Sequence, residues 1–496
     1  MSRLIVVSNR VAVPQASGKA AAGGLAVAVN AALKERSGVW FGWSGRITEE
    51  PSERPAVTTR NRIKYAVIDL KEGDYQEYYN GFANRVLWPI LHYRVDLAEF
   101  QRADLSGYIR VNRIFAEHVS KIIQPDDTIW VHDYHMMPLA KYLRERGHAN
   151  RIGFFLHIPM PPPELIQTLP RHGEILGSLA HYDLVGFQTE SDRDNFGRYL
   201  VTRGGQATTE QGVYEIAGRR THIEAFPVGI ETEAFARRAR HAARTDYVKS
   251  FRRSVGDRKL IIGVDRLDYS KGIPHRLEAY ETLLRTAPEW HDKVTFAQIT
   301  PKSRTEVPEY IEMDRFLSHK AGQINGMYGD VAWTPLRYVN RTYSRSALAG
   351  FYRAANVAMV TPLRDGMNLV AKEFVAAQDP EDPGVLVLSQ FAGAAAELSG
   401  GALMVNPHEI EGMAAALKRA LEMPLEERRE RYERMMAVLM RNDIVQWAGN
   451  FLDALAPMTP TKSPQSIPMP RPILQGVGYG AGWHGVHGAA LRMPQM

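Results

Sequence analysis

The stretch ANVAMVTPLRDGMNLVAKEF, residues 355–374, decides the class of fold. Its first eight residues are nearly all apolar, which is typical of a strand buried on both faces of a parallel sheet. The chain then passes through a polar loop and restarts as a helical pattern near Asn368. In an open α/β sheet, ligands bind where a strand gives way to such a helix. This loop is therefore a candidate binding site.

Similar strands, each followed by a helical pattern, recur in two series. We predict an α/β fold with two parallel-sheet domains, because near-continuous apolar strands alternating with helices are typical of sheets covered on both faces. A basic helical segment around residues 235–259 separates the series. The predicted strands lie in residues 3–9, 127–133, 151–159, 182–189 and 223–230, and then in residues 259–266, 293–300, 355–362 and 384–393.

The separating segment sets the predicted domain boundary. The N-terminal domain then comprises residues 1–240 and the C-terminal domain residues 241–440. Residues 441–456 include the amphipathic pattern DIVQWAGNFLDAL, which predicts a helix that ends the fold and packs back on the N-terminal domain. Residues 457–496 are rich in proline and glycine and show no periodicity, so we expect a disordered tail.

The composition excludes several classes of function. The 496 residues include no cysteine, which excludes disulfides, cysteine-based zinc sites and thiol nucleophiles. No apolar run reaches the roughly 18 residues of a membrane-spanning helix, and the first ten residues lack the apolar region of a signal peptide. The net charge of +6 suits anionic ligands, but no dense basic block is interleaved with aromatic residues. We expect a cytoplasmic protein with no membrane or nucleic-acid partner.

Basic and glycine-rich segments at strand ends predict sites for anions. Gly23 and Gly24 stand directly before a helical pattern, where backbone N–H groups meet anions, although a simple tight turn explains them equally well. No G-x-G-x-x-G fingerprint follows a predicted strand, which argues against a nicotinamide dehydrogenase. Arg266 and Lys271 follow an apolar strand, and their charges together suit a diphosphate. Arg304 stands at another strand end.

The loop of the opening stretch adds hydrogen-bonding groups. A helix that starts near Asn368 directs free N–H groups and a positive dipole end at the loop. Gly366 lets the backbone lie against a ligand, and Asp365 can accept hydrogen bonds from sugar hydroxyls. Glu373 leans back over the bound group, and its carboxylate matches the vicinal diol of a ribose. These groups predict a nucleotide sugar; the alternative is that Glu373 and Lys372 only pair with their neighbours.

Aromatic side chains in the N-terminal half suggest a sugar pocket. The segment EYYNGFANRVLWP, residues 77–89, contains Tyr78, Tyr79 and Trp88. Aromatic faces suit the apolar side of a pyranose ring. The alternative is that these rings belong to the core, which is an equally common use of large aromatic residues.

Polar groups follow two neighbouring strands of the same half. Asp133 and His157 stand at adjacent strand ends, where they can contact a sugar. The three histidines His132, His135 and His157 raise the alternative of a metal site. We expect no metal, because no cysteine and no carboxylate-rich partner set accompanies them.

Taken in order, these motifs resemble the trehalose-6-phosphate synthase family of retaining glycosyltransferases with the GT-B architecture. The resemblance runs from about Ser2 to Leu455 and implies two Rossmann-like domains facing each other across a cleft. The family joins the glucose of a sugar nucleotide, usually UDP-glucose, to glucose 6-phosphate, giving α,α-trehalose 6-phosphate. The run HIPMPPPE has more prolines than the family commonly shows. The resemblance rests on VVSNR, AGGL, WFGWSG, EYYN, LWP, HDYH, RIGFFLHIP, GFQTE, DRLDYSKG, INGMYG, LRDGMNLVAKE and LSQFAGAAAEL.

The resemblance also implies a role for each candidate residue, with Glu373 on the ribose and Tyr343 on the uracil side. The implied acceptor residues, which hold the phosphate and the sugar of glucose 6-phosphate, are Arg10, Tyr79, Trp88, Asp133 and Arg304. The implied donor residues are Gly23, Gly24, His157, Arg266, Lys271, Tyr343, Asp365, Gly366, Met367, Asn368, Leu369 and Glu373. The implied catalytic residues are His157, Asp133, Arg266, Lys271 and Asp365. We expect no cofactor, a homo-oligomer (dimer or tetramer) and a role in osmoprotection.

The implied chemistry retains the anomeric configuration. We favour same-face attack, because no carboxylate in these motifs is an obvious covalent nucleophile. Three alternatives stay open: a related glycosyltransferase with another acceptor, such as a sucrose-phosphate or glycogen type; a catalytically silent sugar-phosphate sensor; and a nucleic-acid-binding protein with a steep salt dependence. The sequence does not decide between UDP, GDP and ADP in the donor.

Overall fold

The structure is a computed structural model that describes residues 3–11, 13, 29, 32–33, 38–60, 62–302 and 308–456 of the chain. The expectations for Gly23, Gly24 and Arg304, and for the proline- and glycine-rich segment of residues 457–496, lie outside the described residues.

Sixteen strands occur in the described ranges. They are β1 Leu4–Arg10, β2 Gly38–Ile47, β3 Ala56–Arg60, β4 Ile63–Leu70, β5 Thr128–His132, β6 Ile152–Phe155, β7 Leu184–Phe187, β8 Gln206–Ala207, β9 Val213–Ile216, β10 Arg219–Ala225, β11 Lys259–Val264, β12 Val294–Ile299, β13 Leu336–Val339, β14 Val357–Val360, β15 Val385–Ser389 and β16 Leu403–Val405.

These strands form two sheets. The first has the order β3-β4-β2-β1-β5-β6-β7-β10-β9-β8, and the second has the order β13-β12-β11-β14-β15-β16. All pairs in the second sheet are parallel. The first sheet is parallel from β4 to β10 and antiparallel at its two edges. The predicted α/β fold with two parallel-sheet domains is confirmed.

Helices connect the strands in both halves. The α-helices of the described residues are Glu72–Asp74, Trp88–Leu91, Arg102–Ser120, Leu139–Glu145, Pro163–Ile166, His172–Ile175, Glu190–Thr202, Thr232–Ala242, Asp246–Val255, Ile273–Thr286, Pro308–Tyr328, Arg345–Ala354, Leu369–Ala377, Ala395–Leu398, Ile410–Glu422, Leu425–Arg441 and Ile444–Leu455. Tyr75–Leu87 is a π-helix, and short 3₁₀ turns occur at Val95–Leu97, Tyr134–Met136, Leu176–His181, Tyr269–Lys271 and Pro288–Trp290.

The last helix, Ile444–Leu455, covers the first sheet. Asp443 caps its N-terminus by accepting hydrogen bonds from the next turn. The ring of Phe451 stacks on Trp130 of β5 at 4.6 Å, and Trp447 meets the edge of Phe155 of β6 at 5.1 Å. This apolar face explains why a segment distant in sequence returns to the N-terminal sheet.

Candidate active site

The loops at the carboxyl ends of the two sheets meet. The guanidinium of Arg266, after β11, lies 4.7 Å from the ring centroid of Trp88. Arg364, after β14, donates to the hydroxyl of Tyr93 at 2.9 Å. Trp88 and Tyr93 belong to the segment between β4 and β5 of the first sheet. Groups from both halves therefore line one site. The position agrees with the rule that ligands bind at the carboxyl ends of parallel strands.

An ion pair joins the loop after β11, which carries Lys271, to the loop after β14, which carries Asp365. Nζ of Lys271 lies 2.6 Å from Oδ2 of Asp365, and only 12% and 14% of the two side chains are exposed. The amide of Asn368 donates to the same Asp365 oxygen at 3.0 Å. Three residues predicted to hold the donor therefore contact one another.

A buried arginine supports this loop from below. Arg276 is completely buried; it donates to Asp265 at 2.7 Å and to the carbonyl of Lys271 at 3.3 Å. It also donates to Gln298 and Thr361, at the ends of two further strands. Burial raises the pKa of Asp265 despite the opposing effect of the adjacent Arg276. The network fixes the backbone that carries Lys271.

The helix predicted to start near Asn368 is Leu369–Ala377, which confirms that prediction. Asn368 has a φ of 78°, and its side chain accepts from the N–H of Ala371, which is a typical N-cap contact. Leu369 begins the helix and is half-buried. The side chain of Met367 is buried in the core, so only the backbone of that residue remains for a ligand.

Gly366 packs against the backbone that follows β6. A Cβ at this position would collide with the carbonyl oxygen of His157 and would lie 2.9 Å from the Cα of Ile158. The missing side chain thus makes room for the backbone after β6. Contact of Gly366 with a ligand stays a prediction. Gly393 packs equally closely on the other side, against Gly366. Gly366 lets loops of the two sheets approach each other, and Gly393 lets two loops of the second sheet do the same.

The two charged residues of the following helix have protein partners. Glu373 lies 3.4 Å from Nε of Arg345, and burial raises the pKa of its carboxyl group. Lys372 is completely buried; it pairs with Glu397 and donates to the carbonyl of Val228 at 2.8 Å. Lys372 therefore pairs with neighbouring protein groups, as the alternative in the sequence analysis predicted.

Tyr343 lies at the edge of the second sheet. Its ring meets Phe351 edge-on at 5.2 Å. It lines a cavity of about 330 Å³ together with Ile299 and Val339, at the ends of β12 and β13. The cavity is largely apolar, as a site for a flat ring would be.

Asp133 and His157 are in contact, as their positions at adjacent strand ends predicted. Asp133 has φ 74° and ψ 166°, a conformation that is strained for any residue but glycine. Its Oδ1 accepts from the backbone N–H of His157 at 3.3 Å. Nε2 of the His157 ring lies 3.0 Å from Nδ1 of His132. Burial lowers the pKa of His157 to about 3, so its imidazole is neutral near pH 7.

Two of the predicted acceptor residues contact Trp43, an aromatic residue to which the sequence analysis gave no role. Arg10 is exposed at the end of β1, with its guanidinium 5.7 Å from the ring centroid of Trp43. Tyr79 contacts the same ring at 6.2 Å and stacks on His135 at 5.8 Å. Tyr78 and Trp88 are buried core residues, as the alternative for that segment predicted.

Comparison with known proteins decides the family. The sequence profile of glycosyltransferase family 20 matches residues 2–457. The chain belongs to glycosyltransferase family 20. It is a glycosyltransferase, and its two-sheet fold is the GT-B arrangement that the resemblance implied.

Relatives of this family 20 enzyme match over nearly their whole length. The trehalose-6-phosphate synthase of Sinorhizobium fredii is 54% identical over 457 residues, covering 92% of this chain and 98% of that protein. A Burkholderia xenovorans synthase solved in complex with glucose-6-phosphate is 47% identical, with a TM-score of 0.88 over 92% of this chain and 100% of the other. An E. coli structure bound with UDP-2-fluoro glucose is 46% identical, with a TM-score of 0.87 over 92% and 99%.

Three features of the family 20 site were missed by sequence reasoning. Trp43 stands in the quoted motif WFGWSG, so its aromatic type was the available signal. Arg364 stands in the opening stretch, but nothing in the sequence indicated Tyr93 as its partner. His132 was considered only as a metal ligand. Among the described residues, no group of three or more histidine, aspartate or glutamate side chains is placed to hold a metal ion.

The same ranges contain no helix that is both long and apolar enough to cross a membrane.

Proposed function

We propose that this enzyme transfers glucose from UDP-glucose to glucose 6-phosphate with retention of configuration, giving α,α-trehalose 6-phosphate and UDP. The observation that carries the proposal is the contact of Arg266 with Trp88. Arg266 belongs to the expected diphosphate site, and Trp88 belongs to the expected acceptor pocket. Their contact leaves the two substrates adjacent, as a direct transfer between them requires.

The donor half of the proposal rests on the loops of the second sheet. Arg266, Lys271 and the helix end at Asn368 supply positive charge and N–H groups for the diphosphate. Glu373 lies at the proposed ribose position, and the cavity beside Tyr343 offers an apolar surface near the base. The E. coli relative bound with UDP-2-fluoro glucose supports the choice of a uridine donor.

The acceptor half rests on the first sheet. Arg10 offers a guanidinium to a phosphate, and the half-buried ring of Tyr79 offers a face to a sugar. Trp43 and Trp88 are buried and support Arg10 and Arg266 from the core. The carboxylate of Asp133 can accept hydrogen bonds from the hydroxyls of the acceptor sugar. The B. xenovorans relative in complex with glucose-6-phosphate supports a sugar phosphate as acceptor over the related glycosyltransferases that use other acceptors.

The proposed mechanism is same-face attack. Negative charge grows on the departing diphosphate as the glycosidic bond breaks, and Arg266 and Lys271 stabilise that charge where it develops. The leaving phosphate oxygen then takes the proton of the acceptor hydroxyl. Asp365 is a poor candidate for a covalent nucleophile, because one of its oxygens already accepts from Lys271 and Asn368.

An assay of nucleoside diphosphate release tests the proposal. UDP-, GDP- and ADP-glucose are compared as donors, each with glucose 6-phosphate and with glucose as acceptor, in buffer with and without EDTA. The expected result is fastest release from UDP-glucose, dependence on the phosphorylated acceptor, and no effect of EDTA. Absence of release from folded protein with every pair would reject the synthase and favour the silent sensor. The homo-oligomer, the cytoplasmic location and the role in osmoprotection stay predictions.

A further inference from the structure

Two histidines at neighbouring strand ends share one hydrogen bond. Nδ1 of His132, the last residue of β5, lies 3.0 Å from Nε2 of His157, which follows β6. The ring centroids are 5.3 Å apart, and the ring planes are inclined by 28°. His132 is completely buried, whereas His157 is partly exposed. The proposed reaction gives His132 no part, so its presence beside His157 calls for an explanation.

The contact holds a single proton. Burial lowers the pKa of His157 to about 3, and burial, followed by the neighbouring His157, holds the pKa of His132 well below its ordinary value. Both rings are therefore neutral at physiological pH, and a neutral imidazole carries one N–H. Either His132 donates through Nδ1, or His157 donates through Nε2.

The surroundings of the second His132 nitrogen distinguish these two arrangements. Within the described part of the chain, Nε2 of His132 is buried without a hydrogen-bond partner. The ring centroids of Trp130 and Trp447 lie 4.5 and 6.4 Å from the ring centroid of His132. The indole N–H groups of both are also buried without a hydrogen-bond partner. A proton on Nε2 would add a third unsatisfied donor to this group. A bare Nε2 leaves only an unpaired acceptor, and an orphaned buried N–H is rarer in proteins than an orphaned acceptor.

We infer that His132 is a positioning residue that donates its Nδ1–H to His157 and thereby fixes His157 in the tautomer that carries its proton on Nδ1. With Nε2 engaged, Nδ1 is the nitrogen left to meet a substrate, and it meets it as a hydrogen-bond donor. Its partner is then an oxygen acceptor, such as a sugar hydroxyl or a diphosphate oxygen. The tautomer follows from the hydrogen bond between two neutral rings and the surroundings of Nε2 of His132; the identity of the substrate rests on the proposed function.

The backbone places this donor at the junction of the two sheets. The carbonyl of His157 packs against Gly366 of the donor loop, and its N–H is held by Asp133. Gly366 and Asp133 thus fix the backbone that carries the ring, and His132 holds the ring itself at Nε2. A hydrogen bond from a ring held in this way is oriented before the substrate arrives, which is the condition for stabilising a transition state.

Long-range ¹H–¹⁵N NMR of protein labelled with ¹⁵N-histidine tests the tautomer without substrates. The signals of the two residues are assigned by their loss in His132→Asn and His157→Asn. We expect the wild-type His157 to carry its proton on Nδ1. His132→Asn keeps a donor near the Nδ1 position and should preserve that tautomer, whereas His132→Leu should shift His157 toward the Nε2–H form. An Nε2–H tautomer of His157 in the wild-type protein would overturn the inference.

Kinetics separate positioning from a merely structural role. His132→Leu should lower kcat by roughly tenfold, as expected for a lost hydrogen bond, and His132→Asn should recover most of that loss. In a His157→Phe background, His132→Leu should cost little more, because His132 acts through His157. If the two substitutions lowered kcat independently, so that their effects multiplied in the double variant, His132 would not act through His157. Wild-type protein with the Nδ1–H tautomer but no transferase activity would reject the proposed function and support the tautomer assignment.

Discussion

Lys271 and Asp365 form a largely enclosed ion pair, with 2.6 Å between Nζ and Oδ2, across loops that are 94 residues apart in the chain. The pair lies where we place the diphosphate of the donor. Asp365 therefore holds the lysine in position before the donor binds, and a bound diphosphate must share the ammonium with it. This arrangement orients a charge that would otherwise move on a long, flexible side chain.

Replacing Lys271 by Met should weaken the use of the nucleotide sugar. The substitution removes a charge-assisted contact and leaves Asp365 facing the diphosphate, so we expect kcat/KM for the donor to fall by about 1.5–3 kcal/mol, roughly 10- to 150-fold. Initial rates at varied donor concentration measure this loss.

A matched ion pair elsewhere provides the control for that substitution. Lys320 pairs with Glu281 at the same distance of 2.6 Å and with similar exposure. Lys320→Met should leave kcat/KM within about twofold of wild type. Equal effects of the two substitutions would show that the Lys271 pair has no special part in the reaction.

Replacing Arg266 by Ala should affect both substrates. The guanidinium packs on Trp88, so its loss removes a diphosphate contact and loosens the acceptor pocket. We expect a cost of about 1.5–3 kcal/mol in kcat/KM for the donor, with the larger share in kcat, together with a raised KM for glucose 6-phosphate. Arg266→Lys should recover little, because an ammonium lacks the flat fork that stacks on the ring.

Arg113 provides a comparable stack outside the site, since its guanidinium lies 4.8 Å from the ring centroid of Tyr142. Arg113→Ala should not change either kinetic constant. Near-normal kcat and KM in Arg266→Ala would remove that arginine from the mechanism.

A methyl group at Gly366 should disrupt catalysis without contacting a substrate. In Gly366→Ala the new Cβ collides with the carbonyl of His157, so the loops of the two sheets must separate. Misplacement of reacting groups by about 1 Å can cost on the order of 100-fold in rate, and we expect a fall in kcat of that size.

Gly449 is the control position, because a Cβ there has no neighbour within 4 Å. It lies in the helix Ile444–Leu455, so Gly449→Ala should stabilise the protein by about 0.5–1 kcal/mol and leave kcat unchanged. Wild-type kcat in Gly366→Ala would show that the close approach to His157 has no catalytic importance.

The lowered pKa of His157 should make stability depend on pH. Its folded pKa of about 3 lies below the ordinary value of 6.5, so between these values the unfolded chain binds a proton that the folded protein does not. The contribution is complete above about pH 6.5 and is lost as the pH falls. One such histidine lowers the free energy of unfolding by about 2 kcal/mol between pH 7.5 and pH 5.0.

Urea unfolding of the wild type and of His157→Asn at both pH values measures this effect. The difference between the two pH values should be smaller by about 2 kcal/mol in the variant. The same pH dependence in both proteins would contradict a neutral His157.

The sequence predicted most of the parallel strands, because their apolar runs are nearly continuous. It missed the parallel strands β2, β4, β13 and β16 and the antiparallel strands β3, β8 and β9. The strand β2 mixes glycine and tryptophan in WFGWSG, β3 is an exposed edge strand, and β16 has only three residues. None of these has the long aliphatic run of a central strand. The strand predicted in residues 223–230 ends at Ala225, since the following residues leave the sheet.

The candidate site was predictable in its residue types but not in its pairings. The sequence correctly predicted that a helix begins near Asn368, after a loop of charged and polar residues. That Gly366 packs on His157, or that Arg266 packs on Trp88, depends on how two sheets distant in sequence are placed. Periodicity and local motifs contain no information on such contacts.

The linkage and configuration of the sugar product distinguish the proposed reaction from every alternative. Purified protein is incubated with UDP-glucose and glucose 6-phosphate, and the sugar product is examined by NMR. The account predicts a non-reducing disaccharide phosphate joined through both anomeric carbons, with the α configuration at each. A reducing disaccharide, a β linkage at the transferred glucose, or the absence of any disaccharide would contradict it.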